Sequence, residues 1–291
     1  MSKKKKKIRK VWPFFTALFI LVTVGMGFSV FETIRGGEAS DYIVETNAFF
    51  APFEFYEGRE IVGVDVEIVR RAAEKLGKKI KIENVEFDVI IDNVEAGRIA
   101  DAGAAGLTIT PARAAKVDFT IPYYTSVQYI LYNRDEPIPL RDGHLVWNNL
   151  AGSVLGTQTG STGYLFADAE ISEGVLAGTG TTLKGLDSHQ LAADAILSHI
   201  IDFAIVDELA ANFIVAKNPA LAAVPLYTRG ATVAEDEPVE ESYAIAVNRG
   251  RGELLAAFNE VLTEMLLVDA DGSSEMDRLI LQYMGLGKEG L

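Results

Sequence analysis

The sequence predicts an α/β fold, carried by a chain that is exported across a membrane. Three observations point there. Strand-type and helix-type hydrophobic patterns alternate over residues 41–291. The second half repeats the strand–loop–helix order of the first without obvious sequence identity. Ahead of both stands a basic head, with seven Lys or Arg among the first ten residues, followed by an uncharged apolar run from Val11 to Phe31.

A basic head before an apolar stretch is an export signal whose basic end stays in the cytoplasm. The run spans 21 residues, and about 20 suffice to cross a bilayer. A cleaved signal has a shorter apolar region, about 7–15 residues, and Glu38-Ala39-Ser40 is only a weak cleavage site. Residues 1–40 are therefore read as a signal peptide or an N-terminal membrane anchor. The chain has no cysteine, which removes a lipidated cysteine, disulfides and Cys-based metal sites. His144, His189 and His199 show no ligand spacing and are read as surface or capped histidines, so no metal or cofactor is expected. The formal charge is −14; residues 1–40 carry eight basic and two acidic residues, which leaves −20 on the remainder. Such an acidic body disfavours nucleic acid and anionic membrane surfaces as partners. It suits a soluble extracytoplasmic protein.

The elements follow in order. Residues 41–45 (DYIVE) read as a strand. Val64, Ile68, Val69, Ala72, Ala73 and Leu76 form the stripe of a helix that Gly77 ends. Residues 79–83 alternate as a strand, 89–96 are helical up to Gly97, 100–107 read as a buried strand and 129–132 as another. In the second cycle, 153–156 are a strand before a glycine-rich loop at 156–163, then a helix at 164–169. Helix 191–198, buried strand 203–206 and helix 208–216 follow, the last stopped by Asn218-Pro219. Strand 243–247 and helices 253–267 and 277–283 complete the chain.

Arg113 carries the most chemical information. It lies in 106–113 (GLTITPAR). A guanidinium is a rigid fork of donors that matches a carboxylate bidentately. Thr108 and Thr110 add hydroxyls on alternate residues of an extended segment. The group fits a small anion, most simply the α-carboxylate of an amino acid. The competing reading is a helix that begins at Pro111 with a solvent-exposed arginine in its first turn. Four further segments matter. The loop 47–55 (NAFFAPFEF) can lay a ring over a ligand, Phe50 more than the core-type Phe53 and Phe55. Residues 63–68 open the first helix. The 160–163 loop offers free N–H groups and a helix dipole to an anion. Residues 202–208 (DFAIVDE) place acids at the carboxyl end of a buried strand, where open α/β sheets bind ligands. Asp207 there is either a ligand contact or a helix N-cap.

These segments, with 117–124 (VDFTIPYY) and 243–247 (YAIAV), resemble in order and spacing the extracellular amino-acid-binding proteins that serve ABC importers, the family 3 solute-binding proteins. The resemblance covers about 41 to 285. It implies a two-lobed fold of the periplasmic-binding-protein type II class, with two hinge strands and the ligand in the cleft between the lobes. Lobe 1 would be 41–125 plus 243–291 and lobe 2 would be 130–239, with hinges near 125–128 and 240–243. Carried over, Arg113 takes the ligand carboxylate with Thr108, Ser161 and Thr162. Asp207 takes the α-ammonium with the carbonyl of Gly106. Phe50 and Phe87 wall the side-chain pocket, and Gln158 and Asn47 reach its polar end. The family often has an acid at the position of Asn47; its absence weakens a case for arginine or lysine and favours a polar uncharged ligand, glutamine first. The implied partners are an amino acid and an importer permease, with the membrane reached through residues 11–31; the chain would be a monomer and not an enzyme.

Three readings compete. A dehydratase on the same scaffold needs a general acid in the cleft, and nothing marks Glu86 or Glu45 for it. A dinucleotide or P-loop site is not supported, since residues 178–186 break both glycine patterns. A membrane-tethered amino-acid sensor remains open. The acidic segment 230–242 has no assigned role.

Overall fold

The computed structural model describes residues 40–136 and 138–285. The proposed signal or anchor at 1–39 lies outside them. Among the described residues no helix is long and apolar enough to cross a membrane.

Two mixed sheets organise residues 41–285. In the first, Ile80–Asn84, Tyr42–Thr46 and Ala102–Gly103 run parallel, followed by Ala246–Val247 and Asp118–Phe119 in antiparallel pairing. In the second, Thr182–Leu186, Val154–Gln158 and Phe203–Asp207 run parallel. Tyr124–Asn133, Leu221–Thr228 and Glu237–Pro238 continue it antiparallel. Each sheet thus takes its fourth strand from a segment that has crossed over from the other. The crossings themselves pair: Glu240–Tyr243 lies antiparallel to the start of Tyr124–Asn133, with Glu241 opposite Ser126 and Ser242 opposite Thr125. This is the two-lobed arrangement with two hinge strands that the resemblance implied.

Helices cover the sheets for the reasons the periodicity suggests. Val64–Leu76 buries Val64, Ile68, Val69 and Ala72, and ends where Gly77 takes a left-handed conformation and donates to the Ala73 and Glu74 carbonyls. Its apolar face meets Gly252–Met265, whose Leu254, Phe258, Val261 and Leu262 are buried. Each such side chain contributes about 1.5–3 kcal/mol when fully buried. In the second sheet the strand Phe203–Asp207 is buried on both faces: Ala204 and Val206 face one core cluster and Ile205 the other. Val154–Gln158, Phe203–Asp207, Glu208–Lys217 and Ile90–Ala96 lie within two residues of where the sequence puts them.

The sequence reading holds no strand at Thr182–Leu186 or Leu221–Thr228, the strand expected at 129–132 runs over Tyr124–Asn133, and three further segments differ. Residues 100–107 form only the short strand Ala102–Gly103. Beyond it the chain leaves the ladder because Gly106 turns at φ 54° and donates its N–H to the Asp65 carboxylate. Residues 49–62 fold as a three-stranded meander, Phe49–Phe50, Glu54–Glu57 and Glu60–Val62. The strand expected at 243–247 divides into Glu240–Tyr243, which pairs with the hinge strand, and Ala246–Val247 in the first sheet. An aromatic cluster fills the crossing: Phe53 lies 5.1 Å from Tyr243, 5.3 Å from Tyr124 and 5.6 Å from Phe50, ring centre to ring centre.

Candidate functional site

The carboxyl ends of the central strands of both sheets face one crevice, as expected where strand order reverses in open α/β sheets. From the first sheet come Asn47, just past Tyr42–Thr46, and Phe50 two residues into the meander. Gly106 and Thr108 follow the Ala102–Gly103 strand. Two features hold this loop. The Asp65 carboxylate accepts from the Gly106 N–H at 2.9 Å and from the Tyr123 hydroxyl at 2.6 Å. A side chain at Gly106 would meet the Phe50 ring at 2.5 Å, so only glycine fits the turn.

Arg113 sits on the short helix Pro111–Ala114, whose cap Thr110 accepts from the Arg113 N–H. The helix begins at Pro111, as the competing reading required. Arg113 is nevertheless buried, with 8 % of its surface exposed. Its guanidinium donates to the Thr108 carbonyl and to the Gly160 carbonyl, both at 2.9 Å, and lies 5.6 Å from the centre of the Phe87 ring.

From the second sheet come Gln158, at the end of Val154–Gln158, and Asp207, at the end of Phe203–Asp207. Ser161 caps the helix Thr162–Ser172 by accepting from the Tyr164 N–H. Asp207 occupies the cap position of Glu208–Lys217 but makes no capping hydrogen bond. Its carboxylate instead accepts from the Gln128 amide, which removes the helix-cap alternative.

A small cavity brings together Phe50, Phe87, Gly106, Thr108, Gln158, Ser161, Thr162 and Asp207. Of the residues expected in the site, Arg113 and Asn47 stand behind this lining. Arg113 grips the Thr108 and Gly160 backbone. Asn47 accepts from the Gln158 amide at 2.8 Å and donates to the Val85 carbonyl. The two side chains expected to reach a ligand's polar end are thus bonded to each other.

A family model for bacterial extracellular solute-binding proteins, family 3, matches residues 42–285. The chain belongs to this family. The arginine-binding extracellular protein ArtP of Bacillus subtilis is 28 % identical over 240 residues, 81 % of this chain and 83 % of that one. An amino acid ABC transporter substrate-binding protein, AbpA of Streptococcus pneumoniae, solved bound to L-arginine, superposes with a TM-score of 0.69 at 26 % identity, covering 86 % of this chain and 96 % of that one. An ancestral arginine-binding protein solved bound to glutamine gives 0.67 at 28 % identity, covering 86 % and 100 %. The fold is the two-lobed type II class, and the protein is a solute-binding protein rather than an enzyme.

Three residues of this solute-binding protein's cleft were not anticipated. His189 opens the helix His189–Leu197, lines the cavity and is 4 % exposed. It was expected at the surface or capped. Burial pushes its imidazole down to about 4, so it is neutral, and its Nδ1 has no hydrogen-bond partner. Its place in the stripe His189, Ala192, Ala193, Ile196 was the available signal. Gln128 lies on the buried face of its strand, between Ser126 and Ile130. Its amide donates to both Asp207 and Glu241. Glu241 lies one pleat from the buried Tyr243, and that alternation points it inward.

Charge in the cleft is unbalanced toward the negative. Burial and then the neighbouring Glu241 carboxylate push Asp207 well above the usual carboxylate range. Burial pushes the Arg113 guanidinium down, against the pull of Glu241 and Asp207. Beneath the cleft, burial and then the neighbouring Asp65 and Asp207 carboxylates push Glu54 well up. Burial also raises Asp65, to about 6, opposed by the Gly106 and Tyr123 hydrogen bonds. An acid whose folded value exceeds its unfolded one holds its proton longer in the folded state. Its stabilising contribution is complete below about pH 4 and is lost as pH rises through 6. Relative to Asp65→Asn, the natural protein should lose about 2 kcal/mol of stability between pH 4 and pH 7, at about 1.36 kcal/mol per unit of difference between the folded and unfolded values. Urea unfolding of both proteins across that range measures the difference, and a flat difference would remove Asp65 from this role.

Proposed function

We propose that the protein captures a free α-amino acid outside the cytoplasmic membrane and delivers it to an ABC importer. One observation carries this reading: the buried Asp207 carboxylate lines a cavity with Thr108, Ser161 and Thr162, and the buried Arg113 guanidinium stands directly behind that lining on the Thr108 and Gly160 carbonyls. Arg113, Thr108, Ser161 and Thr162 would hold the ligand carboxylate. Asp207 and the Gly106 carbonyl would hold the ammonium, with Phe50 and Phe87 as walls. The lobes would run over 41–125 plus 243–291 and over 130–239. The chain would act as a monomer. Residues 11–31 would tether it or be removed on export, and the intact mass of the exported protein decides between these.

Besides Asp207, the described lining offers the polar Gln158, with Asn47 bonded behind it, and neutral His189, and no second carboxylate. Burying a fully charged side chain there without a partner is costly, so glutamine is the first ligand. Arginine is the second reading, supported by the relatives named for it. The ancestral arginine-binding protein seen with glutamine supports a scaffold that takes either. Thermal melting against the twenty amino acids tests this, because a ligand that binds only the folded state raises the melting temperature. Glutamine should give the largest rise. A larger rise with arginine would overturn the neutral-pocket reading, and no rise with any amino acid would overturn the function.

A further inference from the structure

We infer that the carboxylate of Glu241 is an occupant built into the ligand's carboxylate seat, which an incoming amino acid must displace. The inference rests on the proposed amino-acid reading of the cleft. Glu241 lies on the return hinge strand, opposite Ser126, and is 5 % exposed. One of its oxygens accepts from the Thr108 hydroxyl at 2.5 Å and from the Thr162 hydroxyl. The other accepts from the Gln128 amide. The two threonine hydroxyls come from different lobes and stand 3.4 Å apart.

The three groups that donate to Glu241 are Thr108, Thr162 and Gln128, and Arg113 adds an attractive charge, while the Asp207 carboxylate lies on the far side of the Gln128 amide. Three donors converging on one carboxylate make a seat for an anion. The hydroxyls are the ones assigned to the ligand's carboxylate. Two carboxylates cannot accept from the same pair of hydroxyls, and like charges at that distance repel. Glu241 therefore competes with the ligand. It also joins Thr108 of one lobe to Thr162 of the other, so it holds the cleft together in the ligand's place.

A competitor within the chain lowers apparent affinity by the fraction of molecules in which it is displaced. Removing it should have two effects of opposite sign. Without added amino acid, Glu241→Gln and Glu241→Ala should melt at a lower temperature, because the clasp is weakened. Binding should become tighter, by about tenfold or more.

The test is calorimetry with L-arginine and L-glutamine on the full chain in detergent, together with thermal melts without amino acid. Lower melting with tighter binding, or binding gained where the natural protein shows none, supports the internal occupant. Weaker binding would make Glu241 a ligand contact, and unchanged binding would make it purely structural; both overturn the inference. Absence of binding in all forms overturns it as well. Arg113→Ala in parallel separates the two readings. If it loses binding while the Glu241 variants bind as before, the inference alone fails. If Arg113→Ala binds unchanged, the carboxylate seat itself is misassigned.

Discussion

Replacing Arg113 by alanine is expected to weaken amino-acid binding by about thirtyfold or more, while the protein stays folded. Losing one partner of a desolvated charged pair costs about 2–5 kcal/mol, and about 1.4 kcal/mol is tenfold in affinity. Three changes act together in this variant. The ligand carboxylate loses its cation, the Thr108 and Gly160 carbonyls lose a donor, and Asp207 and Glu241 lose the attraction of the Arg113 charge. The fold should survive because Arg113 lies on a four-residue helix at the cleft edge and not in a core cluster. Calorimetry with the best ligand from the thermal panel, with circular dichroism as a check of folding, measures the loss. Affinity within threefold of the natural protein would refute the carboxylate role.

Phe53→Ala should be the largest single loss of stability among the residues discussed, about 3–5 kcal/mol on the scale of buried Phe→Ala changes. Phe53 is fully buried and its ring packs against Phe50 from the cleft wall, Tyr124 from one hinge strand and Tyr243 from the other. The cavity left behind would lie under both crossings, where the backbone is held by paired strands and cannot collapse to fill it. Urea unfolding gives the value. A loss below 1 kcal/mol would show that the crossing repacks, and that the aromatic cluster does not hold the hinge.

The cleft residues that the sequence exposes are those whose neighbours along the chain supply the argument. Arg113 follows two alternating threonines, Asp207 ends an apolar strand, and Ser161 and Thr162 enter a helix after a glycine. Their types and spacing carry their chemistry. Gln128, His189 and Glu241 are different. Gln128 reads as a polar residue just ahead of the apolar run 129–132, and Glu241 as one of several acids in an acidic segment. What makes them site residues is what they touch: Gln128 bonds two carboxylates, 79 and 113 positions away. Asn47 and Gln158 show the converse. Both were expected to face the ligand, and the lobes bring them, 111 residues apart, into a bond with each other.

The sequence by itself determined the elements governed by local physics. The helices Val64–Leu76 and Ile90–Ala96 with their Gly77 and Gly97 stops, and the doubly buried strand Phe203–Asp207, follow from periodicity and from what glycine alone readily adopts. It also determined the α/β class and the two cycles. The tertiary structure decided where strands break and which polar groups meet. Residues 100–107 leave their ladder because Asp65 takes the Gly106 N–H, and the return strand divides because the chain passes from one sheet to the other at Tyr243. Whether Asp207 caps its helix or faces the cleft turned on Gln128, a residue of another strand. Side-chain pairing across lobes depends on distances that close only when both sheets have formed, and no local pattern encodes those distances.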